Sequence, residues 1–309
     1  MKRRKPRRMS VRRFKSLYKA PVSGKIRIVK VIVHGSHHTF RSLQSKRFQH
    51  GMIGCGMNVY GDFLGHAGRF DGLHDVGHAA TAGKAVFEIK RSGLNPAALE
   101  LLGPEAVALM NREENLDLSV APTLFIEFHG ITTGQLSEVL EMAEEICRAE
   151  GCLEFRPGLG RAERDRIFKA RHGLGETIIR NHPGCRVLST DVAVPNTQYP
   201  ELIKTIHDEV NAYKIVGYTL SHAGDGNVHL VVAGKKGDQK EWDKIDRVIN
   251  TVVTRALDLG GTATGEHGVG IGKRKYMAAE HGSSLQWMQR LKSLFDPNGI
   301  LNPGKIFPD

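Results

Sequence analysis

The chain has 309 residues, of which 40% are hydrophobic, and this is enough to build the core of one large domain or two ordinary ones. No run of eighteen apolar residues occurs, so a membrane-spanning helix is excluded on length grounds and only peripheral membrane contact stays open. The four cysteines form no CxxC pair, which argues against a disulfide scaffold and a cysteine zinc site and favours a reducing compartment.

The positive charge is unevenly distributed along the chain. The net charge is +11, but 18 of the 44 basic residues and only 3 of the 33 acidic residues lie in residues 1–87. The remainder, residues 88–309, is mildly acidic. A basic front segment on a mildly acidic domain does not indicate a nucleic-acid-binding domain, and we expect no nucleic-acid partner.

The first sixteen residues contain nine Lys or Arg and no acidic residue. Three interpretations remain open: a mitochondrial targeting segment, a nuclear-import or nucleic-acid patch, and a solvated disordered tail. The mitochondrial interpretation lacks clean amphipathic alternation, but it gives the predicted location, with the cytoplasm as the alternative.

Residues 17–84 combine short apolar runs with scattered Gly and seven of the fifteen His, without a period of 2 or 3.6. The histidine spacings fit no ordered set of metal ligands. The sequence therefore predicts that residues 1–84 form a basic, His/Gly-rich segment that is poorly ordered or atypical, and that residues 85–309 form the folded domain.

Periodic apolar patterning begins near Ala85. A helix is predicted to end at Gly93, a second to begin at Pro104, and a third to end at Gly151. Further helices are predicted over about 161–181, 199–213, 238–259 and 283–295, and strands over PAALELLG, PTLFIEFHG, CLEFRPG, RVLSTDVAVP and VGYTLSHAGDGNVHLVVAG. Because a hairpin lies among alternating strands and helices, we expect an α+β fold with an antiparallel or mixed sheet and helices on one face.

The predicted hairpin contains the sequence HAGDGNVH, residues 222–229. Asp-Gly favours the centre of a two-residue turn, which would place His222 directly opposite His229. Opposed residues have Cβ atoms about 5 Å apart, so the two imidazoles could share a divalent ion. The alternative is a pair of half-exposed histidines beside a turn.

A third ligand is offered by the loop GGTATGEHGVG, residues 260–270, where five glycines allow the backbone to approach a ligand closely. On an extended loop, neighbouring side chains point to opposite sides. Glu266 could then reach the metal while His267 faces a substrate. The loop matches neither GxxxxGK[ST] nor a GxGxxG after a strand, which disfavours a nucleotide cradle.

Several unusual phrases together resemble one known family. In this order and spacing, SHAGDGNVH, GTATGEHGVGIGKRKYM and FDPNGILNPGKIF resemble the C-terminal signature of FAD-linked oxidases of the D-lactate dehydrogenase and glycolate oxidase type, in the vanillyl-alcohol-oxidase superfamily. STDVAVP and FKARHGLGETIIR fit the same pattern. The resemblance covers about 225 residues and implies a ferredoxin-like cap domain with a C-terminal helical tail.

The resemblance also implies roles for individual residues. It makes His222, His229 and Glu266 ligands of a divalent metal, with zinc first and manganese or iron as alternatives. It makes His267 the general base and Arg171 the clamp on the substrate carboxylate.

On the same basis, Asn227 is a polar contact near the substrate carboxylate, and Asn302 lies close to the flavin. Glu266 and His267 join Asn302 on the cofactor side. The implied cofactor is FAD, and the implied electron acceptor is cytochrome c or a quinone-linked carrier.

These residue types suit the oxidation of a D-2-hydroxyacid to the 2-oxoacid. A metal on the hydroxyl oxygen would stabilise the alkoxide, and a neutral histidine could take the hydroxyl proton. A guanidinium grips the carboxylate, and the hydride passes to the flavin.

The chain departs from the family pattern in two places. Nothing in residues 1–84 resembles the flavin-binding domain that precedes this cap in relatives, so an inactive, truncated homologue that keeps only the metal-binding cap is the alternative. Relatives that oxidise dicarboxylates have a lysine two residues before Asp191, where this chain has Ser189. D-Lactate is therefore favoured as substrate.

Overall fold

A computed structural model describes residues 31–33, 57–59, 64–70, 77–159 and 161–307. The predictions for the basic tail and for most of the His/Gly-rich segment fall outside these residues. Within the described ranges, no helix combines the length and the apolar character needed to cross a bilayer.

The described strands, in chain order, are β1 (Val31–Val33), β2 (Met57–Val59), β3 (Leu64–Phe70), β4 (Ala98–Leu102), β5 (Thr123–Glu127), β6 (Cys152–Leu159), β7 (Cys185–Ser189), β8 (Val192–Ala193), β9 (Val216–His222) and β10 (Asn227–Lys235). The α-helices are α1 (Gly77–Arg91), α2 (Pro104–Glu114), α3 (Thr133–Ala149), α4 (Arg161–His172), α5 (Leu174–Asn181), α6 (Tyr199–Tyr213), α7 (Gln239–Asp258), α8 (Met277–His281) and α9 (Ser284–Phe295).

One eight-stranded sheet organises the described domain. Its order is β6-β3-β5-β4-β9-β10-β7, with β8 also paired to β10, and every described pairing is antiparallel. Among the described strands, the short strands β1 and β2 pair with each other in a separate sheet. The predicted α+β class with an antiparallel sheet is confirmed.

The larger core lies on one face of the sheet, beneath α1, α3, α6 and α7. Leu101 of β4, Leu124 of β5 and Leu230 of β10 enter it from the sheet, and each is at most 1% exposed. Because side chains alternate along a strand, the residue next to each of these leucines points to the other face of the sheet.

A smaller second core covers part of the opposite face. Leu102, Phe125 and Val231 point into it and meet buried residues of α2, α4 and α5. The helices that the sequence predicts on one face correspond to the layer over the larger core. The second group is present because these strands are apolar at successive positions and therefore need cover on both faces.

Local signals set several helix ends as the sequence predicts. Pro104 is at the start of α2, and the side chain of Thr132 caps α3 by accepting a hydrogen bond from Gln135 N at 3.1 Å. Gly93 has φ +83° just beyond α1, a conformation that residues with a Cβ rarely adopt.

Regular structure begins before Ala85. Helix α1 begins at Gly77, and β3 lies between β5 and β6 in the sheet. The division of the chain near residue 85 stays a prediction.

The structure describes three cysteines, Cys147, Cys152 and Cys185. Cys147 and Cys152 are buried, and burial raises the pKa of Cys152 to about 11. Both buried residues contribute to the core as small apolar side chains.

We expect Leu124→Ala in β5 to lower the free energy of unfolding by about 2–5 kcal/mol, because it leaves a cavity in the larger core. Leu124 is fully buried, whereas Leu153 is 51% exposed and serves as the matched control, with an expected change within about 0.5 kcal/mol. Urea unfolding measures both. Equal effects of the two substitutions would contradict this account of the core.

Candidate functional site

The hairpin between β9 and β10 differs from the sequence prediction in its register. His222 pairs with Asn227, and His229 pairs with Leu220. The connection is a 3-10 turn over Ala223–Asp225 followed by Gly226, rather than a two-residue turn centred on Asp225 and Gly226. The predicted direct opposition of His222 and His229 is therefore wrong.

The physical reason for the longer turn is a tertiary contact at Gly226. Gly226 has φ +71°, and its carbonyl accepts a hydrogen bond from Val194 N at 3.1 Å. A Cβ at this position would lie 2.1 Å from Val194 O. Since the turn packs directly against the segment after β8, that segment helps to decide its shape.

The corrected register still brings the two histidines together. Asn227 and His229 lie on the same face of β10, so His229 is a diagonal neighbour of His222. Their ring centroids are 5.7 Å apart and the rings are nearly perpendicular. The Nδ1 atom of His222 lies 2.8 Å from Glu100 Oε1, and that of His229 lies 3.2 Å from Thr190 O.

Glu266 completes a group that could hold a metal ion. Its Oε1 lies 3.0 Å from His229 Nε2 and 3.6 Å from His222 Nε2. In a tetrahedral site with bonds of about 2.1 Å, neighbouring ligand atoms lie about 3.4 Å apart. Because both Nδ1 atoms are engaged elsewhere, both Nε2 atoms are available as ligands, and this donor set fits a divalent ion.

His267 points to the same place as Glu266, and the prediction that these neighbours face opposite sides is wrong. The His267 ring stacks on His229 with centroids 5.0 Å apart, and its Nε2 lies 3.4 Å from Glu266 Oε1. The loop is not extended here because consecutive backbone amides of Glu266 and His267 both donate to the carboxylate of Asp191.

Asp191, just before β8, lies at the centre of the hydrogen bonds that hold this loop in place. Its side chain is fully buried and also accepts hydrogen bonds from Lys273 Nζ at 2.7 Å, Asn227 Nδ2 at 2.9 Å and Thr264 Oγ1 at 3.1 Å. Burial alone would raise the pKa of Asp191, but the hydrogen bonds from Lys273, Asn227 and the His267 amide outweigh it and hold the pKa well below its usual range.

A glycine is required where the loop passes Asn227. A Cβ on Gly265 would lie 1.8 Å from Asn227 Nδ2 and 3.0 Å from Asp191 Oδ1. The Gly-rich composition of the loop thus permits its close approach to β10.

A second group, Asp191, His229 and His267, could also hold an ion by distance alone. Its carboxylate already neutralises Lys273, so a cation would have to compete with that ammonium group. Among the described residues, by contrast, the ion-pair contacts of the Glu266 carboxylate are with the three imidazoles. We therefore assign the candidate metal site to His222, His229 and Glu266.

Arg171 is connected to this group by Glu100, which contacts both Arg171 and His222. Its Nε and Nη2 donate to Glu100 Oε2 at 3.1 and 2.7 Å, and both side chains are nearly buried. Burial would raise the pKa of Glu100, but the hydrogen bond from His222 and the charge of Arg171 outweigh it and lower the pKa.

The two histidines have opposite pKa shifts. The hydrogen bond to Glu100 raises the pKa of His222, whereas burial lowers the pKa of His229. His229 is therefore biased toward the neutral form that binds a metal.

The two predicted asparagines have different surroundings. Asn227 is buried, and its Oδ1 has no hydrogen-bond partner among the residues that the structure describes. A buried acceptor of this kind is suited to a ligand or a water. Asn302 lies in an exposed turn with φ +46°. That turn contacts the end of the Gly-rich loop, through Ile306 N to Gly270 O at 2.8 Å.

Comparison with protein families identifies the family to which this domain belongs. Residues 73–306 match the family described as FAD linked oxidases, C-terminal domain. The chain belongs to this family.

The relatives of this FAD-linked oxidase domain include several D-lactate dehydrogenases. A probable mitochondrial D-lactate dehydrogenase of Danio rerio is 35% identical over 220 residues, which are 71% of this chain and 44% of that protein. A mitochondrial D-lactate dehydrogenase [cytochrome] of Arabidopsis thaliana is 33% identical over 70% of this chain and 38% of its own length. The chain thus spans less than half the length of these relatives.

Two solved structures share the fold of the FAD-linked oxidase domain. They are 4-ethylphenol oxidase from Gulosibacter chungangensis (TM-score 0.54, 15% identity) and p-cresol methylhydroxylase (TM-score 0.55, 13% identity). Each covers 80% of this chain, and the chain covers 54% and 53% of theirs. At these identities the likeness concerns the fold alone.

Sequence reasoning missed three residues of the site: Glu100, Asp191 and Lys273. A signal was present for Glu100, because a carboxylate between Leu99 and Leu101 interrupts an apolar strand and is seldom buried without a partner. No local signal identifies Asp191 or Lys273 as a pair, since 82 residues separate them.

We expect Asp191→Asn to lower the free energy of unfolding at pH 7 by about 3 kcal/mol or more, because it leaves Lys273 without its buried counter-charge. The folded-state pKa of Asp191 is below the unfolded value, so its stabilisation is present above about pH 4 and is lost as the pH falls further. The difference between the original chain and the variant should therefore narrow below about pH 4.

Urea unfolding at pH 7 and pH 3 measures this difference. Asp258→Asn, at the exposed end of α7, is the matched control and should change the free energy of unfolding by less than about 0.5 kcal/mol. A difference that grows toward acidic pH would contradict the direction of the shift.

Proposed function

We propose that this chain is the substrate-binding and metal-binding part of an FAD-dependent dehydrogenase that oxidises a D-2-hydroxyacid, with D-lactate favoured, to the 2-oxoacid. The observation that carries the proposal is the convergence of four side chains on one point. The Oε1 atom of Glu266 lies within 3.6 Å of Nε2 of His222, His229 and His267. Family membership and the D-lactate dehydrogenases among the relatives support it.

Arg171 would bind the substrate carboxylate. Glu100 uses the Nε and Nη2 side of the guanidinium, which leaves Nη1 and the second hydrogen of Nη2 to form a two-pronged contact with another carboxylate. The buried Oδ1 of Asn227 could accept a hydrogen bond from the substrate or from a water near it.

His267 would take the hydroxyl proton at Nε2. It is the most exposed imidazole of the cluster, with 55% of its side chain accessible, so it can meet a substrate entering from solvent. Stacking on His229 fixes the ring plane, and the hydrogen bond that the His267 backbone amide donates to the Asp191 carboxylate fixes the backbone. A positioned base of this kind needs both orientation and access.

Two groups would complete the chemistry. A divalent ion held by His222, His229 and Glu266 supplies a Lewis acid for the substrate hydroxyl oxygen. FAD supplies the acceptor for the α-hydrogen and its electron pair. Zinc is the first candidate for a His/His/carboxylate set, with manganese or iron next.

A small monocarboxylate suits the surroundings of the site. At position 189, where a lysine would favour a second carboxylate, the Ser189 hydroxyl donates to Thr190 O at 2.7 Å. We therefore propose D-lactate ahead of dicarboxylates.

FAD binding would need a flavin-binding part in addition to this domain, from the same polypeptide or another. The matched segment is less than half the length of the relatives. In addition, several large apolar side chains near the C-terminus are exposed, as expected of a surface that packs on another domain. They are Ile271, Trp287, Leu291, Leu294, Phe295, Ile300 and Leu301. These features also suit the alternative, a metal-binding cap without redox activity, which would be purified without the visible absorption of flavin.

The electron acceptor is proposed from the relatives. Those from Arabidopsis thaliana and Saccharomyces cerevisiae are named as mitochondrial D-lactate dehydrogenases [cytochrome]. We propose a cytochrome, or failing that a quinone-linked carrier, as acceptor and the mitochondrion as location.

We expect the purified chain to bind about one divalent ion, and His222→Ala and His229→Ala each to abolish binding, because two ligands rarely hold an ion tightly. His207→Ala on α6 is the matched control and should leave metal content unchanged. Elemental analysis after dialysis measures it. Full retention in both site variants would refute the metal site.

With a flavin-binding part supplied, Glu266→Gln should lower metal content and turnover together, because it weakens a ligand. His267→Ala should keep the metal and reduce turnover of D-lactate roughly 10²–10⁴-fold, the usual contribution of a positioned base. Steady-state kinetics combined with metal analysis separates the two. The reverse pattern would mean that the roles of Glu266 and His267 are exchanged.

A further inference from the structure

One carboxylate, that of Glu100, bonds two site residues that come from different elements. Its Oε2 accepts from Nε and Nη2 of Arg171 on α4, and its Oε1 lies 2.8 Å from Nδ1 of His222 on β9. Glu100 is in β4 directly opposite His222, and its side chain is 13% exposed. A residue in a central strand therefore connects the proposed substrate clamp to the proposed metal site.

Each oxygen of Glu100 fixes the orientation of one partner. A carboxylate accepts the Nδ1 hydrogen of His222, so the lone pair stays on Nε2, which faces Glu266 Oε1 at 3.6 Å. The other oxygen occupies one side of the Arg171 guanidinium, so the opposite side is directed away from Glu100. Neither partner can turn without losing a nearly buried hydrogen bond.

We propose that Glu100 is the positioning residue that sets the separation between the carboxylate clamp and the metal site, and thereby selects acids whose hydroxyl is on the carbon next to the carboxylate. This inference rests on the proposed function. In a 2-hydroxyacid the hydroxyl and the carboxylate are on adjacent carbons, so a fixed separation favours it over a 3-hydroxyacid, whose hydroxyl is one bond farther away.

The same helix provides a matched control. Arg164, seven residues before Arg171, bonds Glu127 on β5 at 2.8 Å, and His129 Nε2 lies 3.2 Å from the same carboxylate. Glu127 thus makes an Arg-Glu-His contact on the next strand. Among the described residues, His129 belongs to neither group that could hold an ion. Substituting Glu127 therefore removes an ion pair of the same kind, whose arginine is more exposed, without touching the site.

The first experiment titrates the full chain with Co²⁺ and follows its visible spectrum. Glu100→Gln should weaken Co²⁺ binding about 10–100-fold, the usual effect of losing the carboxylate behind a metal-binding histidine. Glu127→Gln should leave Co²⁺ affinity unchanged. Arg171→Met should also keep it, because Glu100 still holds His222. Imidazole nitrogen NMR of the metal-free chain should show that His222 is protonated at Nδ1 and that Glu100→Gln loses this preference.

The second experiment measures binding of D-lactate and 3-hydroxypropionate by calorimetry, with and without Co²⁺. Co²⁺ should strengthen binding of D-lactate more than that of 3-hydroxypropionate, and Glu100→Gln should remove this difference. If Glu100→Gln fails to fold, Glu100→Gln combined with Arg171→Met removes the unpaired guanidinium, and it should show the same loss of Co²⁺ affinity.

The outcomes separate the two proposals. Normal Co²⁺ affinity and an unchanged His222 tautomer in Glu100→Gln would overturn the role of Glu100 alone. An equal fall in Glu127→Gln would also overturn it, since the effect would then be structural. Absence of Co²⁺ binding by the unaltered chain would overturn the metal site and, with it, this inference.

Discussion

The buried carboxylate of Asp191 joins the parts of the chain that make the site. It lies just before β8, and it accepts hydrogen bonds from the backbone of the Gly-rich loop, from Asn227 on β10 and from Lys273 beyond the loop. These hydrogen bonds hold the loop in the conformation that turns both Glu266 and His267 toward the hairpin. A single negative charge in a low-dielectric setting can do this because five donors compensate its desolvation.

Charge pairing across the smaller core completes the arrangement. Helix α4 directs Arg171 to Glu100 and Arg164 to Glu127, so two arginines on one helix face meet two carboxylates on adjacent strands. The two pairs fix both the position of the helix along the sheet and its rotation about its axis, because each guanidinium must reach the carboxylate on its own strand. A polar site can therefore border an apolar core without leaving charges unpaired.

The distribution of exposed apolar residues fits a domain that packs against another domain. Strands β5 and β10 are buried on both faces, whereas α9 and the residues after it expose large apolar side chains such as Trp287 and Phe295. Such surface is costly in water and is typical of sites where another domain packs. The redox half of the proposed reaction would then belong to the junction of two parts, with proton transfer and substrate binding in this one.

The sequence by itself determined the α+β class, the family and most of the elements after residue 85, and it predicted residue types for the candidate site, because apolar periodicity, Pro104, Gly93 and the Gly-rich motifs are local signals. The register of the hairpin was decided only by the tertiary structure, since Gly226 packs against Val194 and lengthens the turn. The same holds for Asp191 and Glu100. Their roles depend on partners from other elements, and only the folded chain brings these donors within hydrogen-bonding distance.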